Sequence, residues 1–229
     1  MITTVPKIKK LPGLIAGQFH FKDFRCKVLM KKTFFPLLSG ALLLTACAKP
    51  PAKEIVDPDT FFRTTYMLSQ TDSVYHGMYT KTDSAGTLLE KGNYTGGQLN
   101  GIRELYYPDG KVKVRERYKN GQMTDLYEYF HPNGKHELKG YYINGEMYGV
   151  WRKFSASGAL IEEVTMSANE EMGPFSEFHE NGKLLAEGYY LHGPNEDGLL
   201  KLYDEEGVLY KTMLCDSGIC RTTWEKNKE

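Results

Sequence analysis

The sequence predicts an all-β chain of tandem two-stranded hairpins, and three observations carry that reading. Glycines recur at a fixed 24-residue spacing, Asn-Gly and Asp-Gly turn pairs fall in phase with them, and aromatic residues return at matching positions of successive units.

The period comes first. One glycine series runs Gly86, Gly110, Gly134, Gly158, Gly182 and, after one inserted residue, Gly207. A second runs Gly77, Gly101, Asp125, Gly149, Gly173, Gly198 and Thr222, and a third Gly97, Gly121, Gly145, Asn169, Gly193 and Gly218. Each unit then reads as two strands and two turns. Tyr107-Pro-Asp-Gly-Lys111, His131-Pro-Asn-Gly-Lys135 and His179-Glu-Asn-Gly-Lys183 mark the first turn. Tyr118-Lys-Asn-Gly-Gln122 and Tyr142-Ile-Asn-Gly-Glu146 mark the second. Asn-Gly between alternating segments favours a type I′ hairpin, because both central residues need positive φ. Between turns, Val112, Val114 and Tyr118, and likewise Leu184, Ala186 and Tyr190, alternate with polar residues, the period of a strand with one buried face.

The leading strands bring aromatics into register. Tyr106, Phe130, Phe154, Phe178 and Tyr203 form one column; Tyr79, Tyr127, Trp151, Phe175 and Trp224 form another, with Arg103 and Leu200 as exceptions. Stacked hairpins repeat about every 9.6 Å, two strand spacings, so neighbouring rings are expected to shield one another where a lone hairpin cannot. One column is expected to face the core and the other to be available as a binding surface.

Gly149-Val-Trp-Arg-Lys-Phe154 and Gly173-Pro-Phe-Ser-Glu-Phe178, with the Asn-Gly-Lys and Tyr-x-Asn-Gly segments after them, resemble MORN repeats in the variant form of bacterial YwqK-type antitoxin-like proteins. The resemblance spans roughly residues 75–224. It implies an elongated, curved, single-layer antiparallel sheet that scaffolds protein contacts. Two units depart from the pattern, Ala156 through Asn169 and the insertion at His192-Gly-Pro-Asn-Glu-Asp197.

Upstream, Met30-Lys-Lys opens an export signal. Two charges precede an apolar stretch, Thr33 to Leu43, too short to span a bilayer, and then Leu44-Thr45-Ala46-Cys47. These four residues resemble the bacterial lipobox, whose cysteine is acylated before cleavage; an uncleaved anchor, or a chance cysteine after an ordinary signal peptide, are the alternatives. Ala48 in place of an aspartate directs the expectation to a lipid-anchored envelope protein, at the outer rather than the inner membrane. The expected organisation is then an upstream start-site extension or long leader at 1–29, a signal peptide at 30–46, the lipidated Cys47 with a tether at 47–58, a cap at 59–76, and six repeats with a half repeat at 77–229.

Charge narrows the function. The whole chain is formally neutral, but residues from Cys47 onward hold 21 basic and 28 acidic residues, a net of −7. That balance argues against nucleic acid, which needs clustered positive charge. Cys215 and Cys220 fall in the repeat register as a directly opposed pair beside a two-residue Ser217-Gly218 loop, the geometry of a disulfide; two reduced thiols filling those slots is the alternative. His131 and His179 share a repeat position about 19 Å apart, too far for one metal, and read as turn-flanking residues. No phosphate loop, nucleophile elbow or zinc spacing occurs. The expectation is a non-catalytic scaffold without cofactor or metal, bound to a membrane through its lipid and to an unidentified protein. Sequestration of a toxin and binding of peptidoglycan or glycan are the alternatives.

Overall fold

The computed structural model describes residues 51–69 and 72–226; the lipobox Leu44–Ala46, Cys47 and the segments 1–29 and 30–46 lie outside the described residues. The strands are β1 (Ala52–Val56), β2 (Arg63–Leu68), β3 (Tyr75–Thr82), β4 (Leu88–Thr95), β5 (Gln98–Leu99), β6 (Gly101–Tyr106), β7 (Val112–Lys119) and β8 (Gln122–Phe130). They continue as β9 (His136–Ile143), β10 (Glu146–Phe154), β11 (Leu160–Ser167), β12 (Glu170–Phe178), β13 (Leu184–Tyr190), β14 (Gly198–Tyr203), β15 (Leu209–Asp216) and β16 (Ile219–Glu225).

All belong to one antiparallel sheet in which each strand lies beside its neighbours in sequence, from β1 to β16, with the short β5 paired to β4. No helix occurs among the described residues. At the usual spacing the fifteen-strand path extends about 67 Å, an elongated single layer.

Two turn chemistries alternate along it. The second turns are type I′: Asn120 and Gly121 have φ of 50° and 79°, Asn144 and Gly145 51° and 86°, Ser217 and Gly218 52° and 86°. The divergent unit keeps the same turn, with Ala168 and Asn169 at φ 49° and 69°. The first turns differ from the expectation. Only the glycine there has positive φ, 86° at Gly134 and 83° at Gly182, and its N–H donates to the carbonyl three residues back. They are three-residue loops, a type I turn closed by a left-handed glycine. The same Asn-Gly pair serves both, because loop length decides which residues must be left-handed.

The second glycine series has a separate role. Around Gly77, Asp125, Gly149 and Gly173 three residues of one strand oppose one of its partner, a bulge larger than the usual two-against-one with a left-handed residue at the series position. Each long strand is thereby divided into a half near the first turn and a half near the second.

The expected tether is in part a strand. Ala52–Val56 is β1, paired with β2 from Ala52↔Met67 to Val56↔Arg63. The strand reads Ala-Lys-Glu-Ile-Val and is exposed on both faces, so it shows no apolar–polar alternation to set it apart from a linker. The expected cap region supplies β2 and the start of β3, and Tyr66 stacks on Tyr75 at 4.3 Å and Tyr79 at 5.8 Å.

Candidate interaction surface

Strand alternation and the cross-strand register sort the side chains onto two faces. On one, the ring face, Tyr79, Tyr127, Trp151 and Phe175 are buried, Trp151 to 1% and Tyr127 to 2% exposure. Trp151 lies 5.6 Å from Tyr127 and edge-on to Tyr142 at 5.3 Å; Phe175 stacks on Tyr190 at 4.4 Å. This column is the core. Trp224, which shares the column in the sequence, does not join this row: a register shift between Thr212 and Met213 sets it opposite Thr212 on the reverse face, where it is 47% exposed.

These rings lie on glycines. An added Cβ would meet the Tyr79 ring at Gly92, the Trp151 ring at Gly140 and the Phe175 ring at Gly188. The three glycines are 48 residues apart, and Glu116 and Val164 occupy the alternate places. That two-unit period escaped the 24-residue reading, although it is visible in the sequence.

Arg103 takes the ring position of its unit and is held between two carboxylates. Its Nε donates to Glu90 at 2.8 Å and its Nη1 to Glu116 at 2.8 Å, while the Tyr79 and Tyr118 hydroxyls donate to the same two acids. Burial would raise the Glu90 carboxyl, but Arg103 outweighs it and holds it below the usual value.

The other column lies on the reverse face and is half-buried: Tyr106, Phe130, Phe154, Phe178 and Tyr203. Lys91, Arg115 and Lys139 cover the rings of Tyr106, Phe130 and Phe154 at 5.4, 5.8 and 5.1 Å. Two of these cations also enter an ion-pair ladder: Lys91–Glu104 at 2.9 Å, Arg115–Glu104 at 2.9 Å and Arg115–Glu128 at 3.3 Å. From Tyr106 to Phe154 this column is therefore stitched into the sheet rather than left available.

Glu104 ties the ladder to acid stability. Burial alone would raise its carboxyl, yet hydrogen bonds from Tyr106, Lys91 and Arg115 bring it down to about 2. A folded value below the unfolded one stabilises above the unfolded value, and the contribution is lost as pH falls from about 4.5 towards 2. Stability is expected to decline over that window by about 1–2 kcal/mol on account of this group, since solvent screens the partly exposed Lys91 and Arg115. Urea midpoints measured against pH should show a flatter decline in Glu104→Gln; an unchanged profile would contradict the assignment.

The histidines strap turns together. His131 Nε2 bonds to the Phe154 carbonyl at 2.9 Å and His179 Nε2 to the Tyr203 carbonyl at 3.1 Å, as the Tyr107 hydroxyl does to Phe130 at 2.6 Å. No group of three His, Cys, Asp or Glu suited to a metal occurs among the described residues. Cys215 and Cys220 pair directly across β15 and β16 and are disulfide-bonded, with Cα atoms 3.9 Å apart.

The reverse face holds the surface that the sequence reading missed. Between the bulges and the second turns it carries Ile102, Val150 and Leu199, each immediately preceding a ring-column position, and on the return strands Tyr141 opposite Leu126, Tyr189 opposite Pro174 and Leu214 opposite Leu199. Ile143, Leu191 and Ile219 extend it towards the turns. Tyr141 is 54% exposed, Leu199 51% and Leu214 57%. Leu126 and Pro174 complete the column, so an apolar strip, with Thr165 at its middle, crosses the sheet from β8 to β16, and Arg117 on β7 separates Ile102 from it. At strand spacing it runs about 38 Å, and an exposed apolar patch of that size marks an interaction site. Its signal was a third apolar column with the 24-residue period, at the parity that a one-buried-face reading assigns to solvent.

Comparison with known families agrees with the repeat architecture. Residues 99–120, 126–144 and 173–192 each match the MORN repeat variant. No curated protein matches the chain.

Proposed function

We propose that the protein is a membrane-anchored, non-catalytic repeat scaffold that docks a protein partner on the reverse-face strip. The observation that carries this reading is the strip itself. The ring-face aromatics are consumed by the core and the second column is half-buried, with cations over Tyr106, Phe130 and Phe154, whereas Tyr141, Tyr189, Leu199 and Leu214 stand exposed in one line. Three MORN-variant matches favour a binding rather than a catalytic role. The lipobox-like Leu44–Cys47 supplies the anchor, with the outer membrane as its place. Glycan stacking on Trp151 and Phe175 is set aside, because both rings are buried. A toxin sequestered by such a scaffold would occupy the same strip.

The test is crosslinking in intact envelopes with the full chain. Tyr141→Glu combined with Tyr189→Glu is expected to abolish the crosslinked species while leaving thermal stability nearly unchanged, since both residues are about half exposed. Cys47→Ser is expected to move the protein from the membrane to the soluble fraction. Crosslinked species that persist in the strip variant would overturn the docking surface, and membrane retention of Cys47→Ser would overturn the anchor.

A further inference from the structure

The strip crosses the strands rather than following them, and it is two side chains wide. Tyr141, Tyr189, Leu199 and Leu214 lie in one row. Ile143, Leu191 and Ile219 lie in a second, about 7 Å nearer the second turns. On the side of the first turns the strip is bounded by charges already engaged within the sheet. Arg152 pairs with Glu163 and Lys201 with Glu187, while Lys139 lies over the Phe154 ring.

The side of the second turns is acidic and unneutralised. Glu146 on β10, Glu170 on β12 and Asp216 on β15 are exposed on this face, with no ion-pair partner among the described residues. The four turn segments there, residues 143–149, 166–172, 190–198 and 215–219, hold six acidic residues and no Lys or Arg. The cations at the ends of the strip are Arg117 and Lys119 on β7, just past it, and Arg221 on β16.

A segment that covers such a strip has to satisfy its own backbone. The N–H and C=O groups of these strands are largely spent on neighbouring strands, so the face offers side chains only. An extended chain pressed onto it would bury unpaired backbone groups. A helix closes its own hydrogen bonds, and its diameter of about 10–12 Å suits two rows. A second sheet would carry its apolar face over ion pairs on one side and over bare acids on the other.

We propose that the strip takes a basic amphipathic helix of the partner protein, laid across the strands from β8 to β16 with its Lys and Arg flank over the second turns. The proposal rests on the strip being the docking surface. About 38 Å of strip corresponds to a helix of about 25 residues. Cations about seven residues apart would meet Glu146 and Glu170, and a third about ten residues further on would meet Asp216.

The test uses the full chain in its own envelopes, with the photoreactive substitution Thr165→p-benzoylphenylalanine at the middle of the strip. Mass spectrometry of the crosslinked peptide then identifies what lies there. The expected product is a partner segment with an apolar face and Lys and Arg along one flank. Glu146→Lys combined with Glu170→Lys places like charge beside that flank and is expected to lower the crosslinked yield about tenfold. Both acids are exposed, so thermal stability should hold. Arg117→Glu combined with Lys119→Glu is expected to leave the yield unchanged or to raise it. A crosslinked segment that is acidic, or a second copy of this chain, would overturn the helix and leave the docking surface standing. So would an undiminished yield in the Glu146→Lys, Glu170→Lys variant while Tyr141→Glu with Tyr189→Glu abolishes the product, or a loss in the Arg117→Glu, Lys119→Glu variant as large as in the acid variant. Crosslinks to lipid alone, or none at all, would overturn the helix and the docking surface together.

Discussion

Replacing Arg103 with methionine is expected to destabilise the sheet by about 3–5 kcal/mol, the range for removing one partner of a buried ion pair. Arg103, Glu90 and Glu116 have side chains only 15%, 16% and 10% exposed. An exposed pair contributes about 0–1 kcal/mol, because water competes for both charges. Here the cation sits between two acids in a row of rings, and its loss strands two carboxylates rather than one. With the guanidinium gone, burial, the largest influence on Glu90, is opposed only by the Tyr79 hydroxyl and Lys81, and the carboxyl moves up. A folded value above the unfolded one stabilises at low pH and loses that contribution as pH rises through it, so the penalty is expected to be smaller near pH 4 than at pH 7.

The cost of Arg103→Met does not mean that the charges stabilise the fold relative to an apolar core. Other units fill the equivalent positions with Tyr127, Leu138 and Gly140. Combining Arg103→Tyr, Glu90→Leu and Glu116→Gly is therefore expected to be neutral or to stabilise by about 1–4 kcal/mol, as replacements of buried ion pairs by packed apolar groups often do. Urea unfolding followed by the fluorescence of buried Trp151 measures both variants, provided the slopes agree. A triple variant as unstable as the single one would show that the cluster is required by the fold. A loss below about 1 kcal/mol for Arg103→Met would show that water already shields it.

What was legible in the sequence was what local chemistry determines. Asn120-Gly121 and Asn144-Gly145 announce their turns because few residues accept two consecutive left-handed conformations. Cys215 and Cys220 announce their pairing because a two-residue loop fixes the register on either side of it. Which columns remain exposed was not legible. Alternation distinguishes two faces without saying what covers either. Trp151 and Phe175 seemed as available as Phe130 until neighbouring hairpins were stacked on them. The strip residues Val150 and Leu199 stand next to aromatics in the chain, so a reading that seeks one buried face passes over them. Ala52–Val56 was hidden for the opposite reason, since a strand with neither face buried has no apolar pattern to display.

Gly140→Ala, the smallest change available in the core, is expected to cost about 3 kcal/mol or more, at the upper end of overpacking effects. The added methyl would lie 2.1 Å from Trp151 Cδ2 and 2.3 Å from Cε2, and the ring is held on its other sides by Tyr127 and Tyr142. A flexible side chain tip could swing away; a buried indole cannot, because its neighbours are packed to the same density. Gly140 has no positive φ, so alanine meets no backbone strain and even restricts the unfolded chain, a gain of about 0.4–1 kcal/mol. The measured loss therefore isolates the contact between methyl and ring. Gly145→Ala is the complementary case: its φ is 86° and nothing lies within 4 Å of the added Cβ, so its cost is conformational, about 1–2 kcal/mol. The decisive measurement is the double variant. Trp151→Leu opens the space that the methyl needs, so Gly140→Ala with Trp151→Leu is expected to cost clearly less than the two single changes added together. Strict additivity would mean that the glycine column and the ring column act independently, and the account of how a single layer buries its rings would fail with it.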